Sequence, residues 1–398
     1  MAAKRRRSCM DDLLEEVLQE VFSRVGNVKD LFRLAVTCRR WLRRFTDAAF
    51  LRGLWGAGHR ARLLGFFFQQ QTGCQGTSVF EPTFLPAPGS PLHAIASFND
   101  GNFNNAKPLA VRRGIVLMQL TARTVGTCLF GLCNPITGER HVLPPLRCSG
   151  GVLYSCYAII TAADSDLDGK PSSGRFAFSQ LLLTILTTNY KVNLHSYSAA
   201  SRSWSAHAMC RDKLTPLSLV GETSATVHRG AAHWLWLNHD ENLLYKLSTE
   251  VGKHPCVLSF TKLPQLRVGG SPLLCVNGDG QLSIACLYPM HLTVWTQHGE
   301  DAAWLRTAAL RLPIPAAPNT LLEKWPCFNG GSMLLVHRSS AISVLDLDKK
   351  VVEKIMDHGL LPIFSNIMDH TSALAYKMDL VEFFLLHLGG LCSGRPIE

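Results

Sequence analysis

The chain has 398 residues, of which 47% are hydrophobic and 18% are charged, a globular composition that excludes a largely disordered protein. Its formal net charge is +10, and residues 1–60 carry 13 basic and 7 acidic side chains, so the positive charge is concentrated at the N-terminus. The longest apolar runs, Phe176 to Thr188 and Phe383 to Cys392, contain polar residues and fall short of the roughly 18 residues that cross a membrane. We therefore expect two or three globular domains.

Residues 1–12 form a short basic segment that we expect to be a disordered tail. Its compact run of charge is Lys4-Arg5-Arg6-Arg7, and because no apolar core follows that run, we do not expect a signal peptide. The run is either a nuclear-import signal or a solvated tail that keeps the chain soluble. The sequence leaves both interpretations open.

Residues 13–56 show the spacing of apolar side chains that is typical of amphipathic helices. The apolar face of the first helix comprises Leu13, Leu14, Val17, Leu18, Val21, Phe22 and Val25. Gly26 ends this helix, and Asn27 is placed to cap a second helix. Asp30 follows three residues later, in an arrangement that resembles a capping box. The apolar face of the second helix comprises Leu31, Leu34, Ala35, Cys38, Trp41, Leu42 and Phe45. Asp47 is placed to cap a third helix, so the segment is predicted to contain three short helices.

The apolar face of these three helices is larger than so small a module can bury by itself. The surplus must be covered either by a partner protein or by the rest of this chain. The residue pattern alone favours neither of these two possibilities.

After residue 60 the helical spacing fades, and short β-type runs bounded by Gly, Pro, Asn, Asp and Ser replace it. Leu-Pro pairs at Leu143-Pro144, Leu263-Pro264 and Leu312-Pro313 lie at gaps that fit a repeat of about 40–50 residues. The pattern predicts either an array of β-sandwiches or, as we favour, a β-propeller of about six to eight blades. The predicted strands are Gly114–Gln119, Thr127–Cys133, Leu181–Thr187, Val192–Tyr197, His233–Leu237, Leu243–Leu247, Leu282–Tyr288, His291–Thr296, Met333–His337 and Ile342–Leu347.

The predicted fold is therefore of the α+β multidomain class, with a small three-helix module followed by a large all-β domain. The boundaries that we assign are residues 13–56 for the helical module and 101–392 for the propeller-like domain. Residues 57–100 are assigned as a connecting segment and a possible first blade.

The N-terminal helices carry a residue pattern that resembles the F-box. Leu13 to Val25 resembles its opening, and Lys29 to Trp41 resembles its second half, with apolar, basic and Trp positions at the family's spacing. The segment Phe45 to Phe50 resembles the usual ending of the motif. The family usually has Leu-Pro at the start and a second Pro after the first helix, where this sequence has Leu13-Leu14 and Gly26.

The resemblance implies that this module docks on a Skp1-type adaptor, which links it to a cullin and to the ubiquitin-conjugating machinery. The chain would then be the substrate receptor of an SCF (Skp1-cullin-F-box) E3 ubiquitin ligase, with its all-β domain holding a target protein. Phe22 and Trp41 would be aromatic anchors of the adaptor interface. The residues that the resemblance places at this interface are Leu13, Val17, Leu18, Val21, Phe22, Val25, Leu31, Leu34, Val36, Cys38 and Trp41.

Three segments of the all-β domain resemble the propeller region that follows the F-box in many plant F-box proteins. They are Leu129 to Arg140 with Leu143-Pro144-Pro145 after it, the strand-turn-Trp segment Ser196 to Trp204, and the strand segment His228 to Leu235. In the last segment His233 stands where the region usually has an aromatic residue. A propeller would present its target on the loops of one face and at the central funnel.

One loop carries half of a calcium-binding pattern. Asp164, Asp166 and Asp168 alternate before Gly169, but Arg175 stands where an EF-hand has a bidentate Glu. We therefore predict an exposed acidic loop, with no metal and no cofactor.

The sequence contains no G-x-S-x-G, Walker A, G-x-G-x-x-G or H-E-x-x-H motif, so we predict that the chain is not an enzyme. The alternatives are an enzyme built on the β domain, and an F-box scaffold or regulator without a ligase role. Thirteen scattered cysteines with no CxxC pair fit neither a zinc site nor a disulfide framework. They indicate a reducing compartment, the cytoplasm and/or the nucleus, and we expect no nucleic-acid and no membrane partner.

Overall fold

The computed structural model describes most of the chain, in segments separated by gaps. These are residues 15–55, 62–72, 79–87, 89–92, 103–122, 124, 126–148, 151–161, 164, 178–188, 191–205, 208–209, 217–220, 223–252, 257–267, 271–277, 279–288, 291–298, 303–311, 333–338, 341–346, 351–357 and 374–392. The predicted tail at residues 1–12 and the predicted contact residue Leu13 lie outside them. No helix within these segments is both long enough and apolar enough to cross a membrane.

The N-terminal module begins with four short helices, α1 (Glu15–Ser23), α2 (Val28–Ala35), α3 (Arg39–Phe45) and α4 (Ala48–Trp55). Asn27 caps α2 as predicted, because its side-chain oxygen accepts a 3.1 Å hydrogen bond from the backbone nitrogen of Lys29. Asp47 caps α4 in the same way, with a 2.8 Å hydrogen bond from the backbone nitrogen of Ala49. Asp30 does not complete a box with Asn27: within the described residues its carboxylate pairs with Arg33, 3.4 Å from Nη1.

The prediction of a single second helix was wrong, because that helix is divided into α2 and α3. Val36 ends α2, and the hydroxyl of Thr37 donates a 2.7 Å hydrogen bond to the carbonyl oxygen of Leu34. The backbone is extended at Cys38, immediately before α3. Two successive β-branched residues lose side-chain freedom in a helix, and the Thr hydroxyl competes for helix carbonyls, so the sequence favours a break here.

Nearly all of the regular structure after the helices is β-strand, beginning with β1 (Arg62–Thr72) and β2 (Val79–Pro86). Five antiparallel sheets then follow one another along the described chain, and we number them as blades 1 to 5. Blade 1 contains β3 (Lys107–Arg112), β4 (Ile115–Leu120), β5 (Thr127–Cys133), β6 (Arg140–Val142) and β7 (Leu146–Arg147). Blade 2 contains β8 (Val152–Thr161), β9 (Phe178–Thr187), β10 (Val192–Ser198), β11 (Ser203–Trp204) and β12 (Ala208–Met209).

The remaining three blades repeat this arrangement of consecutive antiparallel strands. Blade 3 contains β13 (Leu217–Val220), β14 (Thr226–His228), β15 (Ala231–Asn238), β16 (Leu243–Glu250) and β17 (Ser259–Arg267). Blade 4 contains β18 (Ser271–Val276), β19 (Leu282–Leu287), β20 (His291–His298) and β21 (Ala303–Arg311), and blade 5 contains β22 (Met333–Arg338), β23 (Ala341–Asp346) and β24 (Val351–Asp357). All ten predicted runs fall on these strands, with ends that shift by a few residues.

Blades 1 to 4 stack face to face, and the central strand β9 buries both of its faces. In β9, Leu181 and Leu183 pack into the core that blade 2 shares with blade 1. The alternate residues Leu182 and Leu186 pack into the core that blade 2 shares with blade 3, beside Trp234. Because successive side chains of a strand point to opposite faces, a strand that lies between two blades is apolar along its whole length. This explains the continuous apolar run of β9.

The first and last strands of the described chain meet in one further sheet. Strand β25 (Leu374–Met378) pairs with β1, which gives the sheet order β2-β1-β25, and β25 also lies against β3 of blade 1. A last helix, α5 (Leu380–Cys392), follows β25 directly. Pairing the first strand with the last one closes the arrangement and covers strand edges that would otherwise be open.

The all-β domain thus forms a five-blade propeller arrangement with a closing sheet, which differs slightly from the predicted six to eight blades. The first strands of blades 1 and 2 begin at Lys107 and Val152, which are 45 residues apart, but that of blade 3 begins at Leu217, a further 65 residues on. The assumed repeat of about 40–50 residues was too short for such connections. It therefore overestimated the number of blades.

The Leu-Pro pairs do not mark a regular strand exit. Leu143-Pro144 lies between β6 and β7, but Leu263-Pro264 lies inside β17, where Leu263 is buried against blade 4. Leu312-Pro313 is outside the described residues. These pairs therefore give no reliable repeat length.

Candidate functional site

The apolar stripe predicted to bind a partner is divided into a buried and an exposed group. Leu18, Phe22 and Leu31 are 6%, 3% and 2% exposed and belong to the core. The exposed group, which we call the outer apolar set, consists of Val17, Val21, Val36 and Cys38. Its three valines are 42%, 46% and 49% exposed, and the thiol-bearing Cys38 is exposed as well.

The buried group packs inside the module itself. The ring of Phe22 lies edge to face with those of Trp41, Phe45 and Phe50, at centroid distances of 4.8, 5.1 and 6.0 Å. Edge-to-face packing of this kind stabilises a core beyond the area that it buries. Phe22 is therefore a core residue of the helical module.

Another part of the module's apolar surface is covered by α5, which comes from the far end of the described chain. The ring of Phe384 lies 5.5 Å from that of Phe45 and 5.1 Å from that of Trp55, and the ring of Phe383 lies 5.8 Å from that of Phe32. Sequence reasoning missed this contact, although the apolar run from Phe383 to Cys392 was its signal. The chain itself therefore covers part of the module's apolar surface, and the outer apolar set remains exposed.

The other predicted contact residues lie between these two groups. Val25, Leu34 and Trp41 are partly buried and pack against the core of the module. Each of them combines an intramolecular contact with some exposed surface. The outer apolar set is thus the clearest surface of the module on which a partner can lie.

A charged cluster connects the propeller to α5 and so to the helical module. Arg113, at the turn between β3 and β4, lies 3.3 Å from Oδ1 of Asp164 through Nη1 and 3.2 Å from Oε1 of Glu382 through Nη2. Nη2 of Arg112 donates a 2.6 Å hydrogen bond to the same Oδ1 of Asp164. Burial raises the pKa of Glu382, and the charge of Arg113 partly opposes this effect. These ion pairs join three parts of the chain, which are blade 1, the segment that follows β8, and helix α5.

Asp164 is the first residue of the half calcium pattern, and it is already engaged in this cluster. Its Oδ2 accepts hydrogen bonds from the backbone nitrogen and the hydroxyl of Thr161 at 2.8 and 2.9 Å, and its side chain is 6% exposed. The other residues of the pattern lie outside the described residues. Asp164 therefore fills a structural role, and within the described residues no group of three His, Cys, Asp or Glu side chains is arranged to hold a metal.

The segments that resemble a propeller region pack against each other in the structure. Asn134 folds its segment into a turn, since its Oδ1 accepts hydrogen bonds from the backbone nitrogens of Ile136 and Thr137 at 3.0 and 3.2 Å. The indole nitrogen of Trp204, in blade 2, donates a 2.8 Å hydrogen bond to the carbonyl oxygen of Pro144, in blade 1. These residues therefore hold two blades together.

His233 stands where the propeller regions that this chain resembles usually have an aromatic residue. It too is buried in the propeller. Its Nδ1 lies 3.0 Å from the hydroxyl of Ser248. Burial, reinforced by the nearby charges of Lys246 and His228, lowers the pKa of His233 to about 3. The imidazole is therefore neutral at physiological pH and acts as a hydrogen-bonding core residue.

The fold and this site define a chain in which a small helical module is joined to a propeller-like domain. Residues 10–52 match the model of the F-box-like family, so the chain carries an F-box-like domain ahead of its propeller. This match confirms the resemblance of the N-terminal helices to the F-box. No curated protein matched the sequence.

Several solved structures are similar to this chain at low sequence identity. A functionally unknown protein from Desulfotomaculum acetoxidans has 10% identity over 78% of this chain and 99% of its own, with a TM-score of 0.37. The Aleuria aurantia lectin in complex with α-methyl-L-fucoside has 10% identity over 75% and 96%, with a TM-score of 0.41. The β-propeller domain of the Trilobed protease from Pyrococcus furiosus has 9% identity over 65% and 71%, with a TM-score of 0.36. At TM-scores below 0.5 these similarities carry no argument about function.

Proposed function

We propose that this chain is the substrate-receptor subunit of an SCF-type E3 ubiquitin ligase. Its F-box-like domain binds a Skp1-type adaptor and, through it, a cullin, while the propeller binds a target protein. The observation that carries the proposal is the division of the predicted stripe. One side of the module is buried against α5, and the outer apolar set remains exposed on an F-box-like domain.

The outer apolar set has the features of a docking surface. Val17 and Val21 are four residues apart on α1, so they share one face of that helix. Val36 and Cys38 expose further apolar surface at the break between α2 and α3. A partner that buries these side chains gains hydrophobic free energy without disturbing the core of the module.

The work of such a subunit is to bring two other proteins together. The chain itself forms no covalent bond, and we propose that it is not an enzyme. It raises the effective concentration of target lysines near the ubiquitin-loaded enzyme, and tethering of this kind can accelerate a reaction greatly. The ion pairs from Arg113 to Asp164 and Glu382 support this role, since they resist movement of α5, and of the module packed on it, relative to the propeller.

We propose that the chain works in the cytoplasm and/or the nucleus, where the ubiquitin machinery operates. The support comes from the sequence, in the thirteen cysteines without a disulfide framework and in the basic run Lys4 to Arg7. A fluorescent fusion of the full chain, compared with one in which all four basic residues are replaced by alanine, tests the import signal. Nuclear signal that is equal in the two fusions would contradict it.

The adaptor interface is tested by co-purifying the full chain with a Skp1-type adaptor. The double variant Val17→Asp, Val21→Asp is expected to bind at least about tenfold more weakly, because it places two charges in an apolar interface. The matched control is Val351→Asp on β24, since Val351 is 45% exposed and Val21 is 46% exposed. Equal adaptor binding by wild type and the double variant would show that this surface is not the interface.

The ligase role needs a second experiment, because adaptor binding alone would also suit a scaffold. Proximity labelling with the full chain identifies candidate targets, and a reconstituted assay then measures ubiquitin transfer to them. We expect transfer with wild type and with Val351→Asp, and a loss with the double variant. Adaptor binding without ubiquitin transfer to any labelled protein would favour the scaffold instead.

A further inference from the structure

Two cysteines of blade 1 lie side by side in the folded chain. Cys128 is the second residue of β5, Cys148 directly follows β7, and their Sγ atoms are 3.3 Å apart. The sheet fixes both positions, since Cys128 is opposite Leu146 and the backbone nitrogen of Cys148 donates a 2.9 Å hydrogen bond to the carbonyl oxygen of Gly126. The two thiols are therefore brought together by β-pairing.

This pair differs from the other cysteines that the structure describes. Cys133, Cys156, Cys275 and Cys286 are buried, and burial raises the pKa of each thiol to about 12, which makes them poor nucleophiles. Cys38 is exposed on the helical module. Cys128 and Cys148 are both partly exposed, so solvent and a small oxidant can reach them.

The two thiols of the pair are also unequal in acidity. A hydrogen bond from the thiol of Cys148 lowers the pKa of Cys128 to about 7, although burial acts in the opposite direction. The same hydrogen bond raises the pKa of Cys148. The shared hydrogen bond thus makes one thiol of the pair the more acidic, and we assign the role of the nucleophilic thiolate to Cys128 and that of its neighbouring thiol to Cys148.

We propose that Cys128 and Cys148 are a redox modification site of the propeller, at which a peroxide forms a reversible disulfide. The Cys128 thiolate attacks one oxygen of hydrogen peroxide, so that an S–O bond forms, the O–O bond breaks, and the hydroxide that leaves takes up a proton. The sulfur of Cys148 then loses its proton and attacks the sulfur of the resulting sulfenic acid. The S–O bond breaks, and two thiols and one peroxide have become one disulfide and two waters.

The disulfide would stabilise the contact between blades 1 and 2 at Pro144 and Trp204, which we call the seam. It closes the chain around β6, the turn at Asn134 and the segment that carries Pro144, whose carbonyl oxygen accepts the indole hydrogen bond of Trp204 from blade 2. In the reduced protein, β7 is held to β5 at only two paired positions. A covalent link beside them restricts the unfolded chain and holds this edge of blade 1 in place.

The test uses the full chain, reduced and then exposed to hydrogen peroxide, after which free thiols are alkylated and peptides are analysed by mass spectrometry. We expect one intramolecular disulfide joining Cys128 to Cys148, reversed by dithiothreitol, with an upward shift of the Tm of the oxidised protein. Cys38→Ser is the cysteine control and should form the same disulfide with the same shift in Tm as wild type. Cys128→Ser and Cys148→Ser should show neither the disulfide nor the shift in Tm.

Phenylarsine oxide gives an independent readout, because a trivalent arsenical bridges two neighbouring thiols. Reduced wild type and Cys38→Ser should form the bridged adduct at Cys128 and Cys148, and prior oxidation should block it. Alkylatable, unlinked thiols at both positions after peroxide treatment would overturn the proposal, as would a disulfide between other cysteines. An unchanged Tm with the disulfide in place would overturn its role at the seam. None of these outcomes depends on the ligase function.

Discussion

The rings of Phe22 and Trp41 meet edge to face, with their centroids 4.8 Å apart. Both residues were expected to anchor a partner, yet their closest aromatic neighbour is each other. Replacing either one changes the module's own core as well as its surface. Loss of partner binding in such a variant would not by itself locate the interface, which is why the valines of the outer apolar set are the better probes.

Phe22→Ala is expected to lower the free energy of unfolding of the helical module by about 3–5 kcal/mol, because it empties the centre of an aromatic cluster. Val21→Asp, one residue away and exposed, should change it by no more than about 0.5 kcal/mol. Urea denaturation followed by helical circular dichroism measures both. Equal stability of Phe22→Ala and wild type would mean that Phe22 is not part of the core.

Asp164 is expected to make the stability of the protein depend on pH. Burial acts to raise the pKa of Asp164, but hydrogen bonds and charges from Arg112 and Arg113 outweigh it and hold this pKa below the ordinary value of 3.8. A carboxyl with a lowered folded-state pKa contributes stability that is fully present above 3.8 and is lost as the pH falls through the folded pKa.

Asp164→Asn should therefore cost about 3 kcal/mol at neutral pH, because it removes the carboxylate that two partly buried arginines share and leaves Arg113 with Glu382 as its remaining ion-pair partner. The difference between wild type and Asp164→Asn should shrink as the pH falls below 3.8, since wild type then loses the same charge. Urea denaturation of the two proteins over this pH series checks the prediction. A difference that stays constant at all pH values would show that the charge of Asp164 does not stabilise the junction.

The hydrogen bond from Trp204 to Pro144 is expected to contribute about 1 kcal/mol to stability. It can be removed with little change of shape by incorporating benzothienylalanine, in which sulfur replaces the indole N–H. The matched control is the same replacement at Trp234, whose buried indole nitrogen has no hydrogen-bond partner within the described residues. We expect a loss of stability at Trp204 and none at Trp234; equal effects at the two sites would contradict the assigned role.

Gly65 is expected to stabilise the closing sheet, β2-β1-β25, because it lets β1 and β2 pack closely. A Cβ at this position would lie 2.3 Å from the backbone oxygen of Leu85 and 2.5 Å from the ring of Phe84, and a backbone atom in a sheet cannot move aside easily. Gly65→Ala should therefore lower the free energy of unfolding by about 1–3 kcal/mol.

The control is Gly389→Ala on α5, where an added Cβ meets no atom within 4 Å in the described structure. This variant should gain up to about 1 kcal/mol, because Ala favours a helix more than Gly does. Thermal unfolding of the two variants measures the opposite shifts. A Gly65→Ala protein as stable as wild type would show that β1 and β2 pack less tightly than the structure indicates.

Much of the fold could be predicted from local pattern. Asn27 and Asp47 were recognised as helix caps, and the run Thr127–Cys133 is strand β5 without change. Local signals of this kind depend on neighbours a few residues away, which the sequence displays directly. The break at Val36 and Thr37 is local as well, and two adjacent β-branched residues were its signal.

The sequence by itself determined that a small helical module with an F-box pattern precedes a large all-β domain. It also determined that the module has more apolar surface than it can bury, because composition and spacing set that amount. Only the tertiary structure decided which residues of the stripe stay exposed. Phe22 and Val21 are adjacent in the sequence, yet Phe22 is in the core, against Trp41 and Phe45, and Val21 is on the surface. Another part of the module, at Phe32 and Phe45, is covered by Phe383 and Phe384, which arrive from more than 300 residues away. Contacts between such distant segments follow from how the propeller closes on itself, through the pairing of β1 with β25, and no local pattern records that closure.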